Sequence, residues 1–99
     1  MKPEEQIKAL AELDGWTNLE HEVHPAITYE WAWRDGEKHI IPPYLTSYDA
    51  IIPVVQRQTY ETRQLIIRWL IYRVGDHYFL STPSQLCEAL LRATENWKE

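Results

Sequence analysis

The stretch from Tyr29 to Asp49, YEWAWRDGEKHIIPPYLTSYD, constrains the fold more than any other part of the chain. Tyr29, Trp31 and Trp33 alternate with Glu30, Ala32 and Arg34, the period of a strand with one apolar face. Asp35-Gly36 follows at once and suits the positive φ angles of tight hairpin turns. Lys38 to Ile41 returns as the partner strand. Pro42-Pro43 ends the pairing, because neither residue has an N–H to donate. The expectation is a hairpin of roughly Thr28 to Arg34 and Glu37 to Ile41, followed by a helix. Thr46 or Ser47 would cap that helix, with Asp49 in its first turn.

A chain of 99 residues has room for one hydrophobic core, so residues 1–99 are expected to form a single domain. The hydrophobic fraction of 44%, with five Trp and six Tyr, is enough to build that core and excludes a disordered composition. A net charge of −5 argues against general nucleic-acid binding, which depends on Lys and Arg at the phosphates. Cys87 is the one cysteine, which rules out an internal disulfide and a cysteine-rich zinc site and fits a reducing cytoplasm. MKPEEQIKAL has no signal-peptide apolar run, and no segment approaches the ~20 apolar residues of a membrane-spanning helix.

Taken in order, Pro3 to Leu13 predicts a short helix. Pro3 sits at its first position, Glu4 and Glu5 at its positive end, and Asp14-Gly15 stops it. Ile7, Leu10 and Ala11 make a narrow stripe that holds only by docking. Trp16 to Val23 reads as extended, ended by His24-Pro25. Ser47 to about Gln58 is the second helix, where Pro53 predicts a kink near Asp49 or a break. Tyr60 to Arg73 contains LIIRWLIYRV, which fits a buried strand or a helix; its length favours a helix, capped by Thr59 or Thr62 and ended by Gly75. His77 to Leu80 reads as a short strand, a candidate third strand beside the hairpin. Thr82-Pro83-Ser84-Gln85 announces a last helix with a capping box, and Leu86, Ala89, Leu90 and Ala93 form its stripe. Trp97 is a candidate to fold back on the core. The fold class is α+β, with a small antiparallel sheet of about three strands flanked by three to four helices in a sandwich-like α-β-α arrangement.

LDGW at Leu13–Trp16, the aromatic hairpin around DGEKH, PPYLTSYDAI at Pro42–Ile51 and HYFLSTPSQLCEALLRA at His77–Ala93 together resemble the phage ABA sandwich domain, a family of small α-β-α proteins of tailed phages and prophages. The resemblance rests on Pro42, Tyr44, Thr46 and Ala50 entering one helix, and on Leu86, Cys87, Ala89, Leu90 and Leu91 in another. These residues pack and cap. They imply a fold and a phage setting, in the cytoplasm of an infected bacterium, rather than a chemistry.

No catalytic motif stands out. There is no G-x-S-x-G and no P-loop, and three glycines leave little for a phosphate cradle. Cys87 falls mid-helix on the apolar side, the position of a core cysteine rather than a nucleophile. His21 and His24 would point to opposite faces of a strand, and His39 and His77 would lie on adjoining strands; solvated histidines account for both pairs. The expectation is a non-enzyme with no cofactor and no metal. The aromatics carry the functional signal. Core packing explains Tyr29, Trp31 and Trp33, yet twelve large rings exceed what so small an interior holds, and exposed Trp and Tyr mark interfaces. The helix start at Thr46-Ser47 offers free N–H groups to an anion, with arginines to assist. The candidate ligand-binding set is therefore Trp31, Trp33, Arg34, His39, Tyr44, Thr46, Ser47 and Arg68. It would stack a base and pair a phosphate, and a homo-oligomer sequestering a nucleotide-derived immune signal of the host would use it so. The alternative is an interaction module that binds a host or phage protein.

Overall fold

The computed structural model describes residues 1–21 and 29–99. Among the described residues eight elements follow one another: α1 (Pro3–Leu13), β1 (Thr17–His21), β2 (Tyr29–Arg34), β3 (Glu37–Ile40), α2 (Tyr48–Gln56), α3 (Tyr60–Val74), a 3-10 segment (Gly75–Leu80) and α4 (Pro83–Ala93). This is an α+β domain with a three-stranded antiparallel sheet of order β1-β2-β3.

The sheet is built on the hairpin. Asp35 and Gly36 take φ of 54° and 78°, so both central residues of the turn are left-handed, as a two-residue hairpin with native twist requires. The turn sets the register: Arg34 pairs with Glu37, Trp33 with Lys38, Ala32 with His39 and Trp31 with Ile40. On the other side β1 pairs with β2 through Thr17–Trp33, Glu20–Trp31 and His21–Tyr29. An extra residue in β1 between Thr17 and Glu20 breaks the ladder where Asn18 has φ 50°. The extended segment expected from Trp16 therefore does join the sheet. Its end at Val23, and Thr28 at the start of the hairpin, lie outside the described residues.

The helices follow their local signals. Pro3 opens α1, and α1 closes in a Schellman motif: the N–H of Gly15 bonds the carbonyl of Glu12 at 3.1 Å and that of Trp16 bonds Ala11 at 2.9 Å. Gly15, at φ 92°, makes this reversal possible. Tyr60 to Val74 is a helix, with the Thr59 hydroxyl capping Thr62 N–H at 3.2 Å. Thr82 and Gln85 form the full capping box of α4, at 3.2 and 2.8 Å.

Two expectations fail. Residues 77–80 are not a strand; they lie in the 3-10 segment packed on α3. Gly75, at φ 86°, turns the chain as α3 ends, and Ser81 N–H and Oγ both bond the carbonyl of Tyr78, closing a compact turn. β1 supplies the third strand instead. His39 and His77 are accordingly not on adjoining strands. Pro53 neither kinks α2 at Asp49 nor interrupts it; the helix runs through from Tyr48 to Gln56, short of Gln58. With only five helical residues before it, Pro53 withholds a single N–H, from the carbonyl of Asp49, and its ring is exposed.

The core centres on α4. Cys87, Ala89, Leu90 and Leu91 are fully buried, and α1, α2 and α3 all pack on this helix. They bring Leu10 and Ala11, Ile51 and Val54, and Ile66 and Leu70. Trp97 does return to the core, where the Arg92 guanidinium lies 4.8 Å from its ring. α1 meets β1 and β2 on its other side and so joins the sheet to the helical layer.

Candidate functional site

The alternation of β2 is as the sequence implies, but its faces are the reverse of the core expectation. Ala32 is 0% exposed, and Arg34, on the same face, reaches Asp14 at the end of α1. That face is the inner one. Trp31 and Trp33 therefore point outward, half-buried. The physical reason is the closeness of α1: a methyl group at residue 32 lets the helix approach, whereas two indoles would hold it off. Cross-strand pairing adds Lys38 and Ile40 to the outward face. Ile40 is 69% exposed, and the Lys38 ammonium lies 5.2 Å from the Trp31 ring. The helix packed on this sheet is α1, on the opposite side. β3 is an edge strand of the sheet, with all four of its residues exposed.

The inner side holds a polar node that the sequence does not announce. The Schellman turn delivers Asp14 and Trp16 side by side. The Asp14 side chain is 7% exposed, and its Oδ2 accepts from the Tyr44 hydroxyl at 2.5 Å and from Trp16 Nε1 at 3.2 Å. Trp16 Nε1 also donates to the Tyr44 hydroxyl oxygen at 3.0 Å. Arg34 pairs with Oδ2 at 3.4 Å, donates to the Asp14 carbonyl, and lays its guanidinium 4.0 Å from the centre of the Trp16 ring. Arg57 pairs with Oδ1 from the end of α2. His39 meets the Trp16 ring edge-on at 5.5 Å. One carboxylate thus ties α1, β2, the 42–47 loop and α2 together.

Of the eight candidate ligand residues, Arg34, His39 and Tyr44 gather at this node: Arg34 and Tyr44 bond Asp14, and His39 sets its ring on Trp16 and pairs with Glu37. Tyr44 is 0% exposed, a core residue rather than a surface one. Trp31 and Trp33 stand on the opposite face of the sheet. Thr46 is exposed and Ser47 precedes α2 without a side-chain capping bond. Arg68 is exposed on α3, which packs on α4 and the 3-10 segment. The eight do not form one pocket. A cleft of about 480 Å³ lies elsewhere, between α1 and the C-terminal tail, lined by Met1, Glu5, Lys8, Glu12, Asn96 and Lys98 among others. The paired histidines at 21 and 24 lie outside what is described of side chains. Among the described residues no cluster of His, Cys, Asp and Glu could hold a metal ion, and no helix is long and apolar enough to cross a membrane.

Burial sets the chemistry of two groups. It pushes the Tyr44 hydroxyl up from 10.0 to about 12, against the opposing effects of Trp16 and Arg34, and the Cys87 thiol up from 9.0 to about 12. Cys87 donates to the Tyr44 carbonyl at 3.1 Å, and its environment is the reverse of one that activates a thiolate. Unfolded, both groups lose their protons earlier, so above pH 9 the unfolded chain binds fewer protons than the folded one. Stability is fully present below pH 9 and falls as pH rises towards 12, by about 1.4 kcal/mol per unit for each group titrating. Urea midpoints measured from pH 7 to 11 are expected to hold steady and then fall above 9. Tyr44→Phe should flatten the upper part of that fall; a midpoint that rises across the range would contradict the burial of both groups.

Comparison of the chain with family models, with curated proteins and with solved structures finds no match.

Proposed function

We propose that this chain is a non-catalytic binding protein that recognises another protein through the outward face of its sheet. The observation that supports this is the placement of Trp31, Trp33 and Ile40 on the side of the sheet away from α1. Trp is enriched among residues that dominate binding energy, because a large rigid ring loses little entropy when covered. Among the described residues no helix packs on this face, and β3 beside it is an edge strand, an arrangement that suits a broad protein surface better than an enclosed small molecule. In the phage setting that residues 13–93 imply by resemblance, the partner is a host or phage protein in the cytoplasm of an infected bacterium. Occupying that partner is the whole activity; no reaction is required.

The test compares the tagged chain with a Trp31→Ser, Trp33→Ser variant in infected cells. A stoichiometric partner captured by the first and lost by the second, with unchanged circular dichroism, supports the proposal. A partner retained by both removes this face from the account. A second reading, that the face stacks a nucleotide-derived signal, is favoured by two indoles two residues apart on one strand. It predicts heat on titration with cyclic dinucleotides or ADP-ribose derivatives, lost in the same variant. An absence of heat with all of them rejects it.

A further inference from the structure

Among the described residues, most of the exposed large apolar side chains lie on α3 and the 3-10 segment after it, not on the sheet. α3 has no single polar face; apolar and charged side chains are both distributed around it. Ile66 and Leu70 are buried in the core, but Tyr60 and Ile71 on one flank of the outer side and Leu65 and Tyr72 on the other are 65, 44, 47 and 85% exposed, with Glu61, Gln64 and Arg68 between the two flanks. A helix apolar on both sides is expected to be covered on both. At ~150–250 Å² per aromatic ring and somewhat less per aliphatic side chain, these four offer on the order of 500 Å². Divided between the two flanks of the outer side, that area is comparable with the roughly 300–600 Å² of the largest patch on an ordinary monomer. Phe79 and Leu80, in the segment packed on α3, are also exposed.

We infer that this face is covered by a second copy of the chain, with the two α3 helices antiparallel about a two-fold axis beside Gln64 and Leu65. Two observations choose this occupant over an unrelated protein. The first is charge. Glu61 and Arg68 are exposed on the same stripe, seven residues or about two turns apart, close to 10 Å along the axis. Antiparallel pairing about their midpoint sets Glu61 of each copy against Arg68 of the other, twice, so the face complements itself. The second is area. With Glu61, Gln64 and Arg68 added to the apolar side chains, the face approaches the ~800 Å² per partner of a stable interface. Side chains on a helix lean toward its N-terminus, which brings the Tyr72 ring of each copy to the level of Tyr60 in the other. Leu65 then meets its own copy near the axis. α3 packs on α4 and the 3-10 segment, whereas the helix packed on the sheet is α1, so this surface is distinct from the sheet face.

Sedimentation and light scattering of the full chain in the hundred-micromolar range test the inference. The expected result is a dimer. Glu61→Arg and Arg68→Glu should each weaken it by roughly tenfold or more, through like charges set opposite each other. The double reversal should restore it, since the pairs are re-formed with their signs exchanged. Gln64→Cys should cross-link under mild oxidation, whereas the unaltered chain, whose Cys87 is buried, should not. A monomer throughout this range overturns the inference. So does a dimer that survives Leu65→Glu, that either single reversal leaves intact, or that the double reversal fails to rescue while Gln64→Cys stays unlinked.

Discussion

Leu90→Ala is expected to remove about 4 kcal/mol of stability, within the ~2–5 kcal/mol seen for buried leucines. Leu90 is fully buried on α4, the helix on which α1, α2 and α3 all pack. Removing its side chain leaves a cavity bounded by several elements, and no single one of them can collapse to fill it. In a domain of this size that loss is a large share of the ~5–15 kcal/mol total and should lower the melting temperature by roughly 15–30 °C. Urea denaturation with an unchanged slope is the measurement. A cost below about 1.5 kcal/mol would mean that α4 is not where the packing converges.

Asp14→Ala is the second large effect, at about 3 kcal/mol. The carboxylate is 7% exposed and serves Tyr44, Trp16, Arg34 and Arg57 together. Without it, two guanidinium groups face each other with no countercharge, and the Tyr44 hydroxyl loses its acceptor. Both arginines are partly exposed, at 34% and 56%, so water recovers some of the loss and keeps it at the lower end of the ~3–5 kcal/mol of a fully buried pair. Tyr44→Phe alone should cost about 1–2 kcal/mol, because it deletes one member and leaves the ion pairs. In the double variant the costs should fall short of their sum by about 1 kcal/mol or more. Strict additivity would show that the two residues do not share a network.

The node and the outward indoles change what the aromatic surplus means. Twelve large rings suggested that some must be exposed. The structure spends Trp16 and Tyr44 in the interior, leaves Trp31 and Trp33 half-covered on the open side of the sheet, and sets Tyr60 and Tyr72 on the outside of α3. Among the described residues the exposed and partly exposed rings are thus spread over the sheet, α2 (Tyr48), α3 and the 3-10 segment (Phe79) rather than gathered in one pocket. This division is part of why the eight candidate ligand residues separate.

The hairpin partners of Trp31 and Trp33 were within reach of the sequence. Once Asp35-Gly36 is a two-residue turn, Arg34 must pair with Glu37 and the count leads directly to Lys38 and Ile40. The role of Asp14 was not. Asp-Gly-Trp reads correctly as a helix stop, but nothing local indicates that residue 14 will meet residue 44, thirty positions away, or Arg34 and Arg57.

Local signals placed the ends of the helices Pro3–Leu13 and Pro83–Ala93, the hairpin turn and the apolar stripe of α4, while the stretch from Tyr60 fitted a strand or a helix and only its length favoured the helix Tyr60–Val74. Each depends on a few neighbouring residues, a proline at a first turn, a hydroxyl cap or a glycine at positive φ, whose preferences act over one or two turns of chain. Tertiary structure decided which face of β2 looks inward, that 17–21 rather than 77–80 completes the sheet, and that Asp14 becomes a shared anchor. Those outcomes depend on how near α1 comes to the sheet and where distant side chains meet. Alternation specifies that a strand has two faces but not which of them a helix will cover, because that depends on the volume and charge of residues far away in the chain.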